Sequence, residues 1–327
     1  MDRPVIGSVL LLVGGVNNIR KYSIMNIILF IFLIFVFSFS TYAQVTSEIE
    51  IMNLKGYTQY EIGGYLYGFR SLLEFPFDSN FIGGSLQYQK EDSNGNIQLS
   101  AWTNLKGKAG YMEDSDWLYD YGVEGRDIYS ISGAYLERSY IFNLETNYDY
   151  TYNDRITISP KGGYKFQNFK YTIKDGIQYG GLTENGEYIS KDYYYVLSGE
   201  LLKYNVNYNI PYIGFDVSYA SKKIDMRTGF AISPYIKASD KDDHLLRDKM
   251  SYGNSQGNGV MFNSSFGYNI TTQLKFEGKF NYLKINTDGT QDQYFYDSDS
   301  EYYYGSVSNE INTIQKNFIF GLSYIFN

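Results

Sequence analysis

The sequence contains no cysteine, one histidine and only five prolines in 327 residues. Without cysteine the folded chain has no disulfide bond, so its stability must come from packing and from closed hydrogen bonding. The scarcity of proline, together with 32 glycines, agrees with a chain made of many β-strands.

Long apolar runs are also scarce, because only the segment from Met25 to Phe39 is almost continuously apolar. Arg20 and Lys21 precede this segment and Thr41-Tyr42-Ala43 follows it, which is the pattern of a secretory signal. The run is shorter than the roughly 20 apolar residues of a membrane-spanning helix. We therefore predict that residues 1–43 are leader and signal peptide and that residues 44–327 form one mature domain.

Aromatic residues, in contrast, are abundant: 37 tyrosines and 22 phenylalanines bring their share to 19%. Membrane β-barrels use such rings as girdles at both water interfaces, whereas soluble domains rarely need so many. The formal charge of -8 argues against a general affinity for nucleic acid and favours cationic partners.

Several segments alternate between apolar and polar residues, as a strand does when one face meets lipid and the other meets water. The clearest is Leu274 to Tyr282. The same period of two is present, less cleanly, in the segments Ile156 to Phe166, Ile213 to Tyr219, Val260 to Tyr268 and Phe318 to Phe326.

Short polar turns alternate with long hydrophilic stretches along the chain. The turns are Asp92 to Gly95, Asn153 to Arg155, Ser221 to Lys223 and Asn269 to Thr271, and the stretches are 105–130, 172–198, 238–258 and 285–314. Bacterial barrels place short turns in the periplasm and long loops outside. One first strand near 47–61, two strands around each turn and a last strand at 315–326 predict an all-β fold, a ten-stranded antiparallel transmembrane β-barrel with long extracellular loops, in the cell outer membrane.

Two clusters of chemically active residues follow the outward-running third and seventh strands. Residues two apart in extended chain share a face, so Asp114 pairs with Asp116, and Asp240, Asp242 and His244 form one row. Four of the ten strands separate the clusters, which therefore face each other across the lumen. We expect a site there, facing the exterior.

The chemistry follows from these residue types. Two carboxylates about 4 Å apart repel by roughly 4 kcal/mol at an effective dielectric of about 20, so one of Asp114 and Asp116 is expected to hold a proton. Asp242 can orient His244, which then takes a proton from water, and the protonated aspartate can donate to the developing oxyanion. No protein nucleophile and no metal are required.

The segments Met112 to Trp117 and Asp240 to His244 resemble the two site motifs of the omptin proteases. Gly163-Tyr164, Pro211 to Gly214 and the ten-strand plan extend the resemblance over the whole mature chain. It implies peptide hydrolysis by Asp114, Asp116, Asp242 and His244, typically beside Arg or Lys, with Asp240 as an acidic substrate-binding residue. The position of the family's second subsite acid is open, with Glu61 as a candidate.

The resemblance also implies partners, namely cationic peptide or protein substrates and outer-membrane lipid, with lipopolysaccharide as activator of a monomeric barrel. However, the family's lipid-binding arginines fall at the neutral Asn168 and Asn207, and Lys165 and Lys170 lie nearby. We therefore expect a weaker dependence on lipopolysaccharide.

Two alternatives from other classes are an inactive omptin-like barrel that serves as adhesin or receptor, and a general porin. Ten strands weaken the porin hypothesis, because side chains largely fill so narrow a lumen.

Overall fold

The computed structural model describes residues 43–105, 107–119, 125–183, 185–296 and 300–326. The predicted leader lies outside the described residues, except for Ala43. The described residues form thirteen β-strands and a short 3-10 helix, Tyr65–Tyr67. The strands are β1 (Ala43–Gly64), β2 (Phe69–Lys90), β3 (Gly95–Asn104), β4 (Gly107–Leu118), β5 (Ile128–Leu136), β6 (Tyr140–Tyr148), β7 (Tyr150–Asn153), β8 (Ile156–Leu182), β9 (Tyr188–Ala220), β10 (Ile224–His244), β11 (Lys249–Asn269), β12 (Leu274–Tyr296) and β13 (Glu301–Phe326).

These strands close into a ring of ten wall strands. β2 pairs with both β3 and β4, which together form the third wall strand, and β8 pairs with β5, β6 and β7, which form the fourth. Every neighbouring pair is antiparallel, and β1 pairs with β13 as well as with β2, which closes the ring. The predicted ten-stranded antiparallel barrel is confirmed.

The two ends of the barrel differ in their connections. At one end, here called the turn end, the four predicted polar turns join β2 to β3, β7 to β8, β9 to β10 and β11 to β12. At the other end, here called the site end, the hydrophilic stretches are mainly continuations of the strands. β10 and β11, for example, are joined only by residues 245–248.

The alternation of β12 shows how the sequence sorts the two faces. Phe276 points outward and packs against Phe320 with ring centroids 6.5 Å apart. Lys275, Glu277 and Lys279 point into the lumen, where they form ion pairs. The apolar face therefore meets lipid and the wet face meets the lumen.

Fully buried aromatic rings occupy the middle of the lumen. Phe75 and Tyr204 stack with centroids 4.2 Å apart, and Phe77 and Phe169 pack at 4.6 Å. Tyr171 bridges the two pairs, because its ring packs on both Phe75 and Phe77. We call these five residues the aromatic layer; they lie between the site end and a polar cavity of about 610 Å³ at the turn end.

No helix among the described residues is long and apolar enough to cross a membrane.

Candidate active site

Strand β10 places three of the predicted site residues in one row. Asp240 and Asp242 point into the lumen and are 5% and 1% exposed, and His244 ends the strand on the same face. Asp243 lies on the opposite face, where its Oδ1 accepts a hydrogen bond of 2.8 Å from the Tyr296 hydroxyl. The alternation of the strand therefore places Asp240, Asp242 and His244 on one face, as predicted.

The outward face of β10 shows that this row lies beyond the lipid. Phe230 and Ile232 are exposed and apolar, as expected of a lipid-facing band about 25 Å tall. Further along the strand, the exposed outward positions are Lys237 and Lys241, which an apolar environment would not accept. The site residues stand above this change, outside the membrane-spanning segment.

Asp242 and His244 form a dyad. The Nε2 atom of His244 lies 2.9 Å from Oδ2 of Asp242, and the buried hydroxyl of Tyr60 donates a hydrogen bond to the same oxygen. Burial alone raises the pKa of Asp242, but attraction to His244 and hydrogen bonds from His244 and Tyr60 outweigh it and lower the pKa below its ordinary value. Asp242 is therefore an anion that orients the imidazole through Nε2 and leaves Nδ1 unengaged by this carboxylate.

On the facing wall, Asp114 and Asp116 lie on β4 with their side chains on one face. Burial, and then repulsion from Asp116, raise the pKa of Asp114 well above its ordinary value. The Oδ1 atom of Asp114 is buried and has no hydrogen-bond partner among the described residues. Asp114 is therefore harder to ionise than an ordinary aspartate.

The two clusters meet at the mouth of the barrel. Arg247, three residues after His244, brings its guanidinium to 3.9 Å from Oδ2 of Asp116. The negative charge of Asp242 also contributes to the raised pKa of Asp114. The structure therefore brings Asp114, Asp116, Asp242 and His244 together in one site, as the strand count predicted.

Asp240 precedes Asp242 by two residues on β10 and lies on the same face, further into the lumen. Its Oδ1 accepts a hydrogen bond of 3.2 Å from the Asn309 amide, whereas its buried Oδ2 has no partner within the described part of the chain. Burial, and then repulsion from Asp242, raise its pKa to about 7. Gly253 makes this position possible, because a Cβ there would stand 1.9 Å from Oδ1 of Asp240.

Glu61 does not point into the lumen. It lies on the outward face of β1, between the buried Tyr60 and Ile62, and Arg70 binds its carboxylate with hydrogen bonds of 2.7 and 2.8 Å. The Arg70 guanidinium also lies 4.4 Å above the Trp117 ring. Glu61 is therefore engaged on the outer wall, away from the dyad.

The two lysines near Asn168 lie on opposite faces of the barrel wall. Lys170 is exposed on the outer wall, but Lys165 points inward and lines the turn-end cavity. Although Lys165 is near Asn168 in the sequence, it does not share the outer wall with Asn168, because it has the inward parity of Gln167, whose amide pairs with that of Gln315 across the lumen.

Sequence reasoning missed three residues near the dyad: Tyr60, Arg247 and Lys249. Lys249 pairs directly with His244 in the hairpin, so the hairpin register would have revealed it. Tyr60 gave no such signal, because it is 182 residues from Asp242 in the chain. No cluster of three or more metal-binding side chains occurs in the part of the chain that the structure describes.

Comparison with known proteins identifies the family. Residues 72–326 match the sequence model of the omptin family. The chain belongs to the omptin family. It is 25% identical over 200 residues to the plasminogen activator of Yersinia pestis, an alignment that covers 60% of this chain and 62% of that protein, less than two thirds of its length. It is 23% identical over 240 residues to the outer membrane protease OmpP of Escherichia coli K12, covering 71% and 74% of the two chains.

A solved omptin has the same fold. The crystal structure of the outer membrane protease OmpT from Escherichia coli matches 86% of this chain and 97% of its own, with a TM-score of 0.71 and 20% sequence identity. The family and this fold place the chain in the outer membrane.

Proposed function

We propose that this omptin is an outer-membrane endopeptidase that hydrolyses surface-accessible peptides or proteins, with a preference for bonds beside Arg or Lys. One observation carries the proposal: the Asp242–His244 dyad, with Asp242 buried, stands opposite Asp114, whose pKa is raised, at the mouth of the barrel outside the lipid. A base and an acid on opposite sides of a cleft are what hydrolysis by water requires.

In this mechanism His244 is the general base. Asp242, held as an anion, stabilises the imidazolium that forms when His244 takes a proton from water. The water oxygen attacks the peptide carbonyl as His244 takes the proton, and the imidazolium then gives that proton to the departing amine as the C–N bond breaks. No enzyme side chain forms a covalent bond with substrate.

Asp114 supplies the complementary acid. Burial and the charge of Asp116 raise its pKa, which favours the protonated form, and in that form Asp114 donates a hydrogen bond to the oxyanion that develops on the carbonyl oxygen. Asp116 maintains this state, since its charge disfavours ionisation of Asp114.

Asp240 supplies the substrate preference. Its unpartnered Oδ2 is a buried acceptor two residues from the dyad on the same face, suited to the cationic side chain of a bound peptide. Facing the exterior, the site would meet cationic peptides, and lipopolysaccharide would act as an activator held on the outer wall.

A direct test is to incubate the refolded barrel with a mixed peptide library, with and without lipopolysaccharide, and to identify cut sites by mass spectrometry. We expect cleavage inside peptides, mainly beside Arg or Lys, that disappears in His244→Ala. Absence of cleavage under both conditions would overturn the proposal in favour of an inactive barrel that serves as adhesin or receptor. Cleavage beside apolar residues would leave the peptidase but refute the role of Asp240.

A further inference from the structure

Tyr60 is a buried residue of the dyad's surroundings to which the mechanism above gives no role. It lies on β1, four wall strands away from β10, and is 0% exposed. Its hydroxyl crosses the lumen and donates to Oδ2 of Asp242, the same oxygen that Nε2 of His244 contacts. The other carboxylate oxygen, Oδ1, has no hydrogen-bond partner among the described residues.

The ring of Tyr60 is held in place by neighbours that contribute no charge. It stacks on Tyr204 at 5.2 Å and on Phe75 at 6.0 Å, so the aromatic layer fixes the direction of its hydroxyl. Burial, and then the charge of Asp242, raise the pKa of Tyr60 well above its ordinary value. The phenol therefore keeps its proton and acts as a donor throughout the working pH range.

We propose that Tyr60 is the positioning residue of the catalytic dyad, fixing the Asp242 carboxylate toward His244 and withdrawing part of its negative charge from the imidazole. This inference rests on the proposed function, in which His244 must be neutral to act as base. By sharing Oδ2 with the imidazole, Tyr60 limits how strongly Asp242 stabilises the cationic form of His244.

The charged and titratable groups around the dyad stay unchanged when only the Tyr60 hydroxyl is removed. They are Asp240 on β10, Tyr204 on β9, Lys249 on β11, Arg247 in the connection, and Asp114 with Asp116 on β4. A difference between the wild type and Tyr60→Phe therefore reports on this one hydrogen bond.

The first test needs no enzymatic activity. His244 is the sole histidine of the chain, so carbon-13 labelling of histidine in an untagged barrel gives one resonance to titrate by NMR. In Tyr60→Phe the midpoint of that titration should move to higher pH, because the whole Asp242 charge then acts on the imidazolium. An unchanged midpoint in a folded variant would overturn the proposal.

The second test uses turnover per folded barrel. Tyr60→Phe should lower kcat about tenfold, the effect of losing one hydrogen bond to a charged group, with little change in KM. In the pH profile of kcat, the acid limb of Tyr60→Phe should move to higher pH, in the same direction as the His244 titration. In an Asp242→Asn background the same substitution should have no further effect, since Tyr60 acts through that carboxylate.

Tyr208→Phe is the matched control. Tyr208 is equally buried, but its hydroxyl bonds to Thr58 and Thr313 at 2.7 Å and does not contact Asp242. Tyr208→Phe should change neither the turnover nor the midpoint of the His244 titration. An equal change in Tyr208→Phe and Tyr60→Phe would assign the effect to packing and refute the positioning role. If the midpoint differs between the wild type and Tyr60→Phe as predicted but the wild type cleaves no peptide, the proposed function is refuted and the contact of Tyr60 with Asp242 is supported.

Discussion

Buried charged groups occupy both ends of the lumen, but at the turn end buried lysines bind carboxylates directly, whereas at the site end Asp114 and Asp240 form no ion pair among the described residues. Lys279 lies 2.5 Å from Glu48 and 2.7 Å from Glu50, and Lys161 lies 2.8 Å from Asp216. At the site end, Asp114, Asp240 and Asp242 each have a buried oxygen without a hydrogen-bond partner among the described residues. Glu48 at the turn end also has one such oxygen, Oε1, but its other oxygen binds Lys279.

The difference separates structure from function. A buried carboxylate bound by a cation is compensated and can serve the stability of the barrel. A buried carboxylate that has a free oxygen and no bound cation is costly, and it persists where water or a substrate is to be bound. We therefore expect the carboxylates of the turn end to serve stability and those of the site end to serve the proposed hydrolysis.

The sharpest way to break the site end is to neutralise its chemistry. His244→Ala should reduce peptide hydrolysis by about 10²- to 10⁴-fold, the usual contribution of a general base, because the chain has no second histidine. Asp114→Asn, Asp116→Asn and Asp242→Asn should each remove most turnover. The folded fraction, measured by heat-modifiable gel mobility, should stay unchanged, and near-full turnover in His244→Ala would contradict the mechanism.

The turn end should respond in the opposite way. Lys279→Met leaves Glu48 and Glu50 without their shared cation and should lower the free energy of unfolding by roughly 3 kcal/mol. This value is the lower end of the range for a broken buried pair, chosen because Lys279 borders the cavity. Turnover per folded barrel should not change. Urea unfolding in detergent micelles measures the first effect and a peptidase assay the second.

Lys55→Met is the control for that substitution. Lys55 lies 3.8 Å from Asp78, but both side chains are more than half exposed, so the pair contributes little. If Lys279→Met were no less stable than Lys55→Met, the structural role of the turn-end charges would be refuted.

A smaller effect concerns substrate choice and pH. Because the pKa of Asp240 is raised to about 7, its carboxyl is mostly neutral at pH 6 and mostly ionised at pH 8. The preference for an Arg substrate over the neutral isostere citrulline should therefore grow about tenfold or more across this range, as a charge-assisted hydrogen bond replaces a neutral one. The ratio of the two kcat/KM values measures it.

Asp240→Asn should make that ratio low and independent of pH. Asp243→Asn is the matched control, since Asp243 faces the other way and accepts from Tyr296. Equal cleavage of Arg and citrulline substrates at pH 8 in the wild type would remove Asp240 from the subsite.

The sequence predicted the barrel and the faces of its site residues, because a strand in lipid must alternate and alternation sorts side chains. It did not predict that the stretch 238–258 continues as a hairpin. Beyond the lipid the outward face is polar, so the period of two is lost although the strands persist, as at Lys237 and Lys241. Tyr60 was unpredictable for another reason: which inward residues meet across the lumen depends on strand stagger.

The smallest expected effect lies on the outer wall, where lipopolysaccharide would bind. The Asn168 amide donates to Asn205 and Asn207 at 2.7 and 2.8 Å, so these neutral groups bond mainly to one another. Lys170 is exposed beside them, but a lysine lacks the bidentate fork with which arginine binds phosphate.

We therefore expect that lipopolysaccharide raises turnover of a fluorogenic dibasic peptide in detergent by less than about tenfold, the effect of a single hydrogen bond to a charged group. The double variant Asn168→Arg with Asn207→Arg should increase that dependence, because two forks would then face the lipid phosphates. Asn53→Arg, which alters an exposed amide pair with Asn80 on another part of the barrel, should not. Activity of the wild type that appears only after lipid is added would show that other groups, Lys170 first among them, make the phosphate contacts.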